Sequence, residues 1–141
     1  NLLEQLANSG AKVDFTQGLD ARKLTRANID LINNIKIERV HFAWDNPRDK
    51  RLPAALRIFL NHTNIKEVKR RTVYVLINYW STHEEDLYRV YWLRDNGYDP
   101  YVMIYDKPNA PKITRYLQRW VNNKRIFRTV LKFEDYDHTI G

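Results

Sequence analysis

The residues best suited to chemistry stand directly after four short segments in which apolar and polar residues alternate. The first segment, residues 13–17, runs into Gly18 and then into Asp20 and Arg22. Such alternation predicts a β-strand, and in α/β folds ligands bind at the carboxyl ends of strands. Together with Gln17, the Asp and Arg would hold a zwitterionic or ribose-bearing ligand through charge-assisted hydrogen bonds. An internal Asp–Arg pair that ties down the loop is the alternative.

Three further segments end in aromatic and polar side chains. They cover residues 39–44, 73–79 and 101–105, and the residues of interest at their ends are Trp44, Asp45, Asn46, Asn78, Tyr105, Asp106 and Lys107. An aromatic ring beside Asp and Asn can stack on a base while the polar groups bind its edge. The same residues also fit an Asx-turn with a packing Trp, and Asp106 with Lys107 fits a structural ion pair. Both interpretations stay open for each strand end.

The stretches between these segments have the periodicity and the caps of helices. Thr25 is a good N-cap residue, and Pro53 suits the first turn of a helix. Ser81 and Thr82 each begin a capping-box pattern, and Ile113 is expected to face inward on a last long helix. Strands that alternate with helices predict parallel βα units joined by right-handed crossovers.

The predicted strands are apolar on one face and polar on the other. The apolar set is Val13, Phe15, Val40, Phe42, Val73, Val75, Ile77, Val102 and Ile104; the polar set is Asp14, Thr16, His41, Asp45, Tyr74, Asn78, Tyr101 and Tyr105. A doubly wound sheet would have central strands that are apolar on both faces. The pattern therefore predicts a barrel lumen or an open cleft. We expect the α/β fold class with parallel βα units; four such units would form half of an eight-stranded, TIM-like barrel or most of a six-stranded one.

Composition narrows the functional classes. The chain has 141 residues and no Cys, so it forms no disulfide and supplies no thiolate to zinc or to an iron–sulfur cluster. No apolar run approaches the ~18 residues of a membrane helix. The formal net charge is +7, from 24 basic and 17 acidic residues. A basic surface attracts nucleic acid or acidic ligands, although a solvated face has the same composition. We expect one domain over residues 1–141 and a cytoplasmic location.

Several short motifs together resemble the C-terminal half of bacterial and phage radical SAM domain proteins. The matching segments are residues 13–22, 39–47, 82–88, 98–107 and 117–123. The resemblance implies an incomplete parallel βα barrel, of which this chain would form about half. It also implies two cofactors in the full-length protein, namely S-adenosylmethionine and a [4Fe–4S] cluster that cleaves it to a 5′-deoxyadenosyl radical.

The resemblance implies roles for the strand ends. Gln17, Asp20 and Arg22 would contact the amino-acid or ribose part of S-adenosylmethionine, and Trp44, Asp45 and Asn78 would lie nearer the adenine or the substrate. We assign Asn46, Tyr105, Asp106 and Lys107 to substrate binding; no catalytic residue and no metal ligand is assigned. Because the three-cysteine loop of the family is absent, we expect the chain to be inactive alone, with neither cofactor bound.

Two other functions compete with this one. The chain is alternatively a basic α/β module for RNA, in which Trp44, Trp80 and Trp120 stack on bases, or a scaffold without a ligand. Because the chain begins at Asn1 in a helical pattern, we expect it to be part of a longer polypeptide. Its partners would be the N-terminal half of the barrel or, through the exposed edge of the first strand, a second copy.

Overall fold

The computed structural model describes residues 12–14 and 19–139. Within them, four strands alternate with helices along the chain, and short 3₁₀ turns connect several of the elements. In chain order the elements are β1 (Lys12–Asp14), α1 (Arg26–Asn33), β2 (Lys36–Trp44), α2 (Arg51–His62), β3 (Arg71–Ile77), α3 (His83–Asp95), β4 (Asp99–Ile104), α4 (Lys112–Asn122) and α5 (Lys124–Thr129). The chain is therefore an α/β protein built from βα units.

The strands form a parallel sheet in the order β1-β2-β3-β4. The first half of β2 pairs with β1, and its second half, from Val40, pairs with β3. Because the strand order follows the chain order, right-handed crossovers place every connecting helix on the same side of the sheet. The opposite side carries no helix from these units.

Burial shows which face packs on the helices. Val40, Phe42, Val73, Val75 and Val102 are each 0% exposed and form the core with the apolar sides of the helices. The other face is polar and aromatic: His41 hydrogen-bonds Tyr74, whose ring meets Tyr101 at 5.9 Å between centroids. The predicted division into an apolar and a polar face is confirmed for these residues, whereas Phe15 and Thr16 lie outside the described ones.

The outer edge of β4 is closed by side chains of the helices that follow it. Asn122 accepts a hydrogen bond from the Val102 N–H at 2.8 Å and donates one to the Val102 carbonyl at 2.9 Å. Lys124 donates to the carbonyl of Pro100, which has no N–H of its own. Side chains thus occupy the groups that a fifth strand would need, so the sheet ends at β4.

Two of the helices begin at N-cap residues that the sequence predicts. Thr25 accepts from the backbone N–H of Asn28 at 3.1 Å and begins α1. Of the two overlapping capping boxes, the structure uses Thr82 with Glu85. Ser81 instead donates to the carboxylate of Asp86 at 2.6 Å.

Two expectations for the helices need correction. Ile113 was expected to face inward, but it is 43% exposed, because the inner face of α4 is filled by Thr114, Leu117, Trp120 and Val121. Strands β2 and β3 also begin two to three residues earlier than the sequence predicts. The helix expected at residues 2–9 lies outside the described residues.

Candidate functional site

The loop after β1 and the carboxyl ends of β2 and β3 surround two small adjoining hollows. Neither hollow is lined by Asn78 or by the expected site residues at the end of β4, which are Tyr105, Asp106 and Lys107. The first hollow has a volume of about 310 Å³, near the lower limit of ligand pockets. It is lined by Leu19, Asp20, Arg22, Ala43, Trp44, Asp45, Asn46, Asp49 and Leu52. Five of these are residues that the sequence singled out at the ends of the first two strands. The structure therefore brings these five together.

The second hollow, of about 280 Å³, lies between the ends of β2 and β3. It shares Asp45 and Asn46 with the first hollow and is completed by Pro47, Arg48, Tyr79 and Trp80. Trp80 is 81% exposed, so most of its indole is open to contact. The two hollows differ in character: the first is lined by charged groups and the second by aromatic rings.

Arg22 is engaged by carboxylates on both sides. Its guanidinium contacts Asp20 at 3.0 Å and Asp49 at 2.9 Å. The side-chain hydrogen bond from Arg22 holds the pKa of the Asp20 carboxyl below its ordinary value. Asp49 in turn accepts from the backbone N–H of Arg51 at 3.0 Å, at the first residue of α2. The internal Asp–Arg pair is thus the arrangement formed, and it braces one wall of the first hollow.

Of the two interpretations left open for Trp44, the structure shows the packing Trp. It is 2% exposed, and its ring packs edge-on against Trp92 of α3 at 5.5 Å between centroids. Its indole N–H donates to the Asn46 carbonyl at 2.9 Å. Trp44 has the same parity as Val40 and Phe42 and therefore faces the helices. The stacking role expected for its ring is wrong, because neither face of a buried indole can receive a base.

Asp45 and Asn46 stand where the two hollows meet. Asn46 accepts from the backbone N–H of Arg48 at 2.9 Å, so the predicted Asx-turn is confirmed. Asp45 is exposed, and its carboxylate makes no ion pair with any residue the structure describes. It is an uncommitted hydrogen-bond acceptor at the centre of the site.

The ends of β3 and β4 carry strained backbone and exposed aromatic rings. Asn78, Trp80 and Asp106 have φ values of 59°, 51° and 51°, a left-handed conformation that costs non-glycine residues energy. The Asn78 side chain donates to the Tyr105 carbonyl at 3.2 Å and so joins the two strand ends. The ring of Tyr79 lies 4.8 Å from that of Tyr105 and 6.4 Å from that of Trp80.

The Asp106–Lys107 ion pair expected at the end of β4 is not formed. Asp106 instead accepts from the side-chain amide of Asn109 at 3.1 Å, and it precedes a short 3₁₀ turn without a capping hydrogen bond from its side chain. Lys107 is exposed and has no carboxylate partner among the described residues. The fourth strand end therefore offers an ammonium group and the half-exposed ring of Tyr105.

A buried ion pair beneath the site was not anticipated. Arg89 of α3, 1% exposed, contacts Asp86 at 2.7 Å and donates to the carbonyls of Trp44 at 2.6 Å and Leu76 at 3.0 Å. Asp86 also accepts from the Asn78 N–H at 3.1 Å. Burial lowers the pKa of the guanidinium, and the charge of Asp86 opposes this shift. The pair ties the ends of β2 and β3 to one helix. An acid and a base three residues apart on a helix were the only signal for it.

The charge around the hollows differs from that of the whole chain. The two hollows are lined by three carboxylates, those of Asp20, Asp45 and Asp49, and by two guanidinium groups, those of Arg22 and Arg48. The lining therefore carries one net negative charge, whereas the chain carries +7. A positively charged ligand is favoured here over a phosphate.

Other expectations concern residues apart from the hollows. Gln17 lies outside the described residues. Within residues 12–14 and 19–139, no group of three His, Asp or Glu is placed to hold a metal ion. The described helices are all too short or too polar to cross a membrane.

Comparisons with family models, with curated proteins and with solved structures found no match.

Proposed function

We propose that this chain is the C-terminal part of a radical SAM enzyme and that its strand ends bind the adenosyl part of S-adenosylmethionine. The observation that carries the proposal is the uncommitted carboxylate of Asp45 between a charged and an aromatic hollow. A carboxylate at a strand end accepts hydrogen bonds from the hydroxyls of a ribose. The exposed ring of Trp80 offers a face on which adenine can stack.

The electrostatics favour the same ligand. S-adenosylmethionine carries a sulfonium ion in addition to its amino-acid charges, so it is cationic overall. The net negative lining of the hollows attracts such a ligand and disfavours a nucleotide with phosphates. Asp20 and Arg22 hold one another, so we assign them the positioning of the loop after β1 rather than the main contact with the amino-acid group.

The fold is compatible with the proposal. Parallel strands in chain order with their helices on one face are the arrangement of part of a βα barrel. Because side chains close the outer edge of β4, additional strands would join the sheet on the β1 side. The missing strands of the proposed barrel would therefore precede this chain in sequence.

The iron–sulfur cluster does not fit the residues of this chain. The chain has no Cys, and its described residues contain no alternative metal-binding group. We therefore derive no reaction step through the cluster, whose ligands would come from another part of the polypeptide. The role that we propose for these residues is to bind and orient an adenosyl ligand.

Binding can be tested by NMR titration of this chain with S-adenosylmethionine and, separately, with adenosine. Because half of the proposed binding site is absent, we expect dissociation constants of about 1 mM, which corresponds to roughly 4 kcal/mol. The largest shifts should occur at the Trp80 indole and at the amides of Asp45 and Asn46. Asp45→Asn should weaken binding of both ligands about ten-fold.

Asp95→Asn is the matched control, because Asp95 is also an exposed carboxylate but lies at the last residue of α3. It should leave both affinities unchanged. Absence of shifts at the strand ends at about 10 mM ligand, ten times the expected dissociation constant, would exclude the proposed site. Equal weakening by the two variants would show that only net charge matters.

A further inference from the structure

Unneutralised positive charge is concentrated in one segment of the chain. Residues 111–132 contain seven basic residues and no acidic one: Lys112, Arg115, Arg119, Lys124, Arg125, Arg128 and Lys132. Of these, only Lys124 has a carboxylate partner among the described residues, Asp99 at 2.8 Å. In contrast, five basic residues in the strand-end loops and the connector before β3 form ion pairs: Arg22, Arg48, Arg51, Lys69 and Arg70.

Packing fixes the direction in which these charges point. Leu117, Trp120 and Phe127 are buried and hold the inner sides of α4 and α5 against the core. Arg119 on α4 is consequently exposed, as are Arg125 and Arg128, which are one turn apart on α5. The three side chains make no hydrogen bond or ion pair with the described residues.

An open groove of about 930 Å³ runs between α4, the start of α5 and the C-terminal segment. Its lining combines cations, side-chain amides and aromatic rings, among them Arg119, Lys124, Gln118, Asn123, Tyr136 and His138. The imidazole of His138 stacks on Tyr116 with 4.1 Å between centroids and 3° between planes, so the C-terminal segment is held against α4. Lys107, at the end of β4, lies at one end of this lining.

We infer that this basic groove binds single-stranded nucleic acid. Arg119 lines the groove, and Arg125 and Arg128 extend the positive surface along the exposed side of α5, outside that lining. These three cations would meet phosphates, and Tyr136 with His138 would meet the bases. A positive channel with aromatic rings is the usual way to bind a single strand without sequence preference. An acidic peptide would use the cations but not the aromatic rings. The residues involved are separate from Asp45 and Trp80, so this inference does not depend on the proposed cofactor.

Two of the three Trp residues expected to stack on bases are buried. Trp44 and Trp120 are 2% and 0% exposed, and neither presents a ring face. Trp80 is exposed, but it stands beside the carboxylate-lined hollows rather than beside the basic groove. The groove therefore places a nucleic-acid interface on a different surface from the one that the Trp residues suggested.

The test is fluorescence anisotropy with a labelled single-stranded oligouridylate of about 12 nucleotides, measured at several salt concentrations between about 50 and 200 mM. The test variant removes three cations of the basic surface, one in the groove and two beside it on α5, by Arg119→Gln, Arg125→Gln and Arg128→Gln. Since a single strand gives a salt slope of about −0.7 per phosphate contact, the loss of three contacts should make the slope of log K against log salt less negative by about 2. Affinity at about 50 mM salt should fall at least ten-fold.

The matched control combines Arg26→Gln, Arg39→Gln and Lys66→Gln, three exposed residues without an ion pair among the described residues. It removes the same net charge and should change the affinity less than three-fold, with an unchanged slope. Equal losses in the two triple variants would overturn the inference, because binding would then follow net charge alone. Equally tight binding of a duplex of the same length would also overturn it, because a duplex offers no unstacked bases.

Discussion

Replacement of Arg89 by Met is the sharpest test of how the strand ends are held. The guanidinium is 1% exposed and makes hydrogen bonds to Asp86 and to the carbonyls of Trp44 and Leu76. Met preserves much of the side-chain volume but removes the charge and all the donors. The variant leaves the carboxylate of Asp86 buried without a cation. In this variant the Asp86 carboxylate keeps the hydrogen bonds from the Ser81 hydroxyl at 2.6 Å and from the backbone N–H of Asn78 at 3.1 Å.

Loss of one partner from a buried ion pair costs about 3–5 kcal/mol. This is a large part of the roughly 5–15 kcal/mol that stabilises a domain. With an m-value of about 2 kcal/mol per molar, the urea midpoint of Arg89→Met should fall by about 1.5–2.5 M. Asp86→Asn should cost less, because Arg89 keeps its carbonyl acceptors. The double variant should be more stable than Arg89→Met, because no charge is then left buried alone.

Urea unfolding followed by far-UV circular dichroism measures all three variants. The refuting result is a midpoint shift for Arg89→Met of less than about 0.5 M, or roughly 1 kcal/mol. A double variant no more stable than Arg89→Met would also refute the reasoning, because the cost would then not come from the isolated carboxylate. Arg26→Met is a control, because Arg26 is an exposed Arg at the first residue of α1 and has no ion pair among the described residues.

Three other measurements examine separate contacts. Arg22→Gln should raise the pKa of Asp20 toward the ordinary value of an Asp, because the side-chain hydrogen bond that lowers it is lost. The native pair stabilises the fold above that ordinary pKa and loses its effect as the pH falls through the lowered pKa; a carboxyl titration by NMR that shows no change would contradict the pairing. Asn122→Leu should free the edge of β4 at Val102 and promote self-association, which light scattering detects; a mass equal to that of the native chain at matched concentration would contradict the edge closure. Tyr98→Phe removes a buried hydrogen bond from the hydroxyl and should cost about 1 kcal/mol in urea unfolding; an unchanged midpoint would show that the bond contributes nothing.

Much of the fold could be predicted because local rules and tertiary packing agree. Alternation in β2 places Val40 and Phe42 in the core, and the structure confirms both. Thr25 and Thr82 begin helices because each can accept from a backbone N–H within its own first turn. Such signals need only a few neighbouring residues, so they can be recognised without knowledge of the rest of the chain.

The candidate site was harder to predict because its side chains compete for partners that are distant in sequence. Whether Arg22 is available depends on Asp49, 27 residues away. Trp44 is an exception, because it has the same parity as Val40 and Phe42, and the alternation in β2 was sufficient to place it against the helices. Asp86 and Arg89 lie in a helix rich in charged residues, where burial of an ion pair cannot be distinguished from solvent exposure until the carbonyls it binds are placed.

The three left-handed residues at the ends of β3 and β4 bear on attempts to stabilise this protein. Glycine adopts that conformation without steric cost. Replacement of Asn78, Trp80 or Asp106 by Gly would therefore relieve local strain, and it would remove a side chain from the edge where ligands are expected. Selection for heat resistance alone would therefore favour the loss of the exposed Trp80 side chain, whereas the side chains of Asn78 and Asp106 also make hydrogen bonds that hold the strand ends. Selection for binding would retain Trp80, since improved stability and retained function make opposite demands on the same position.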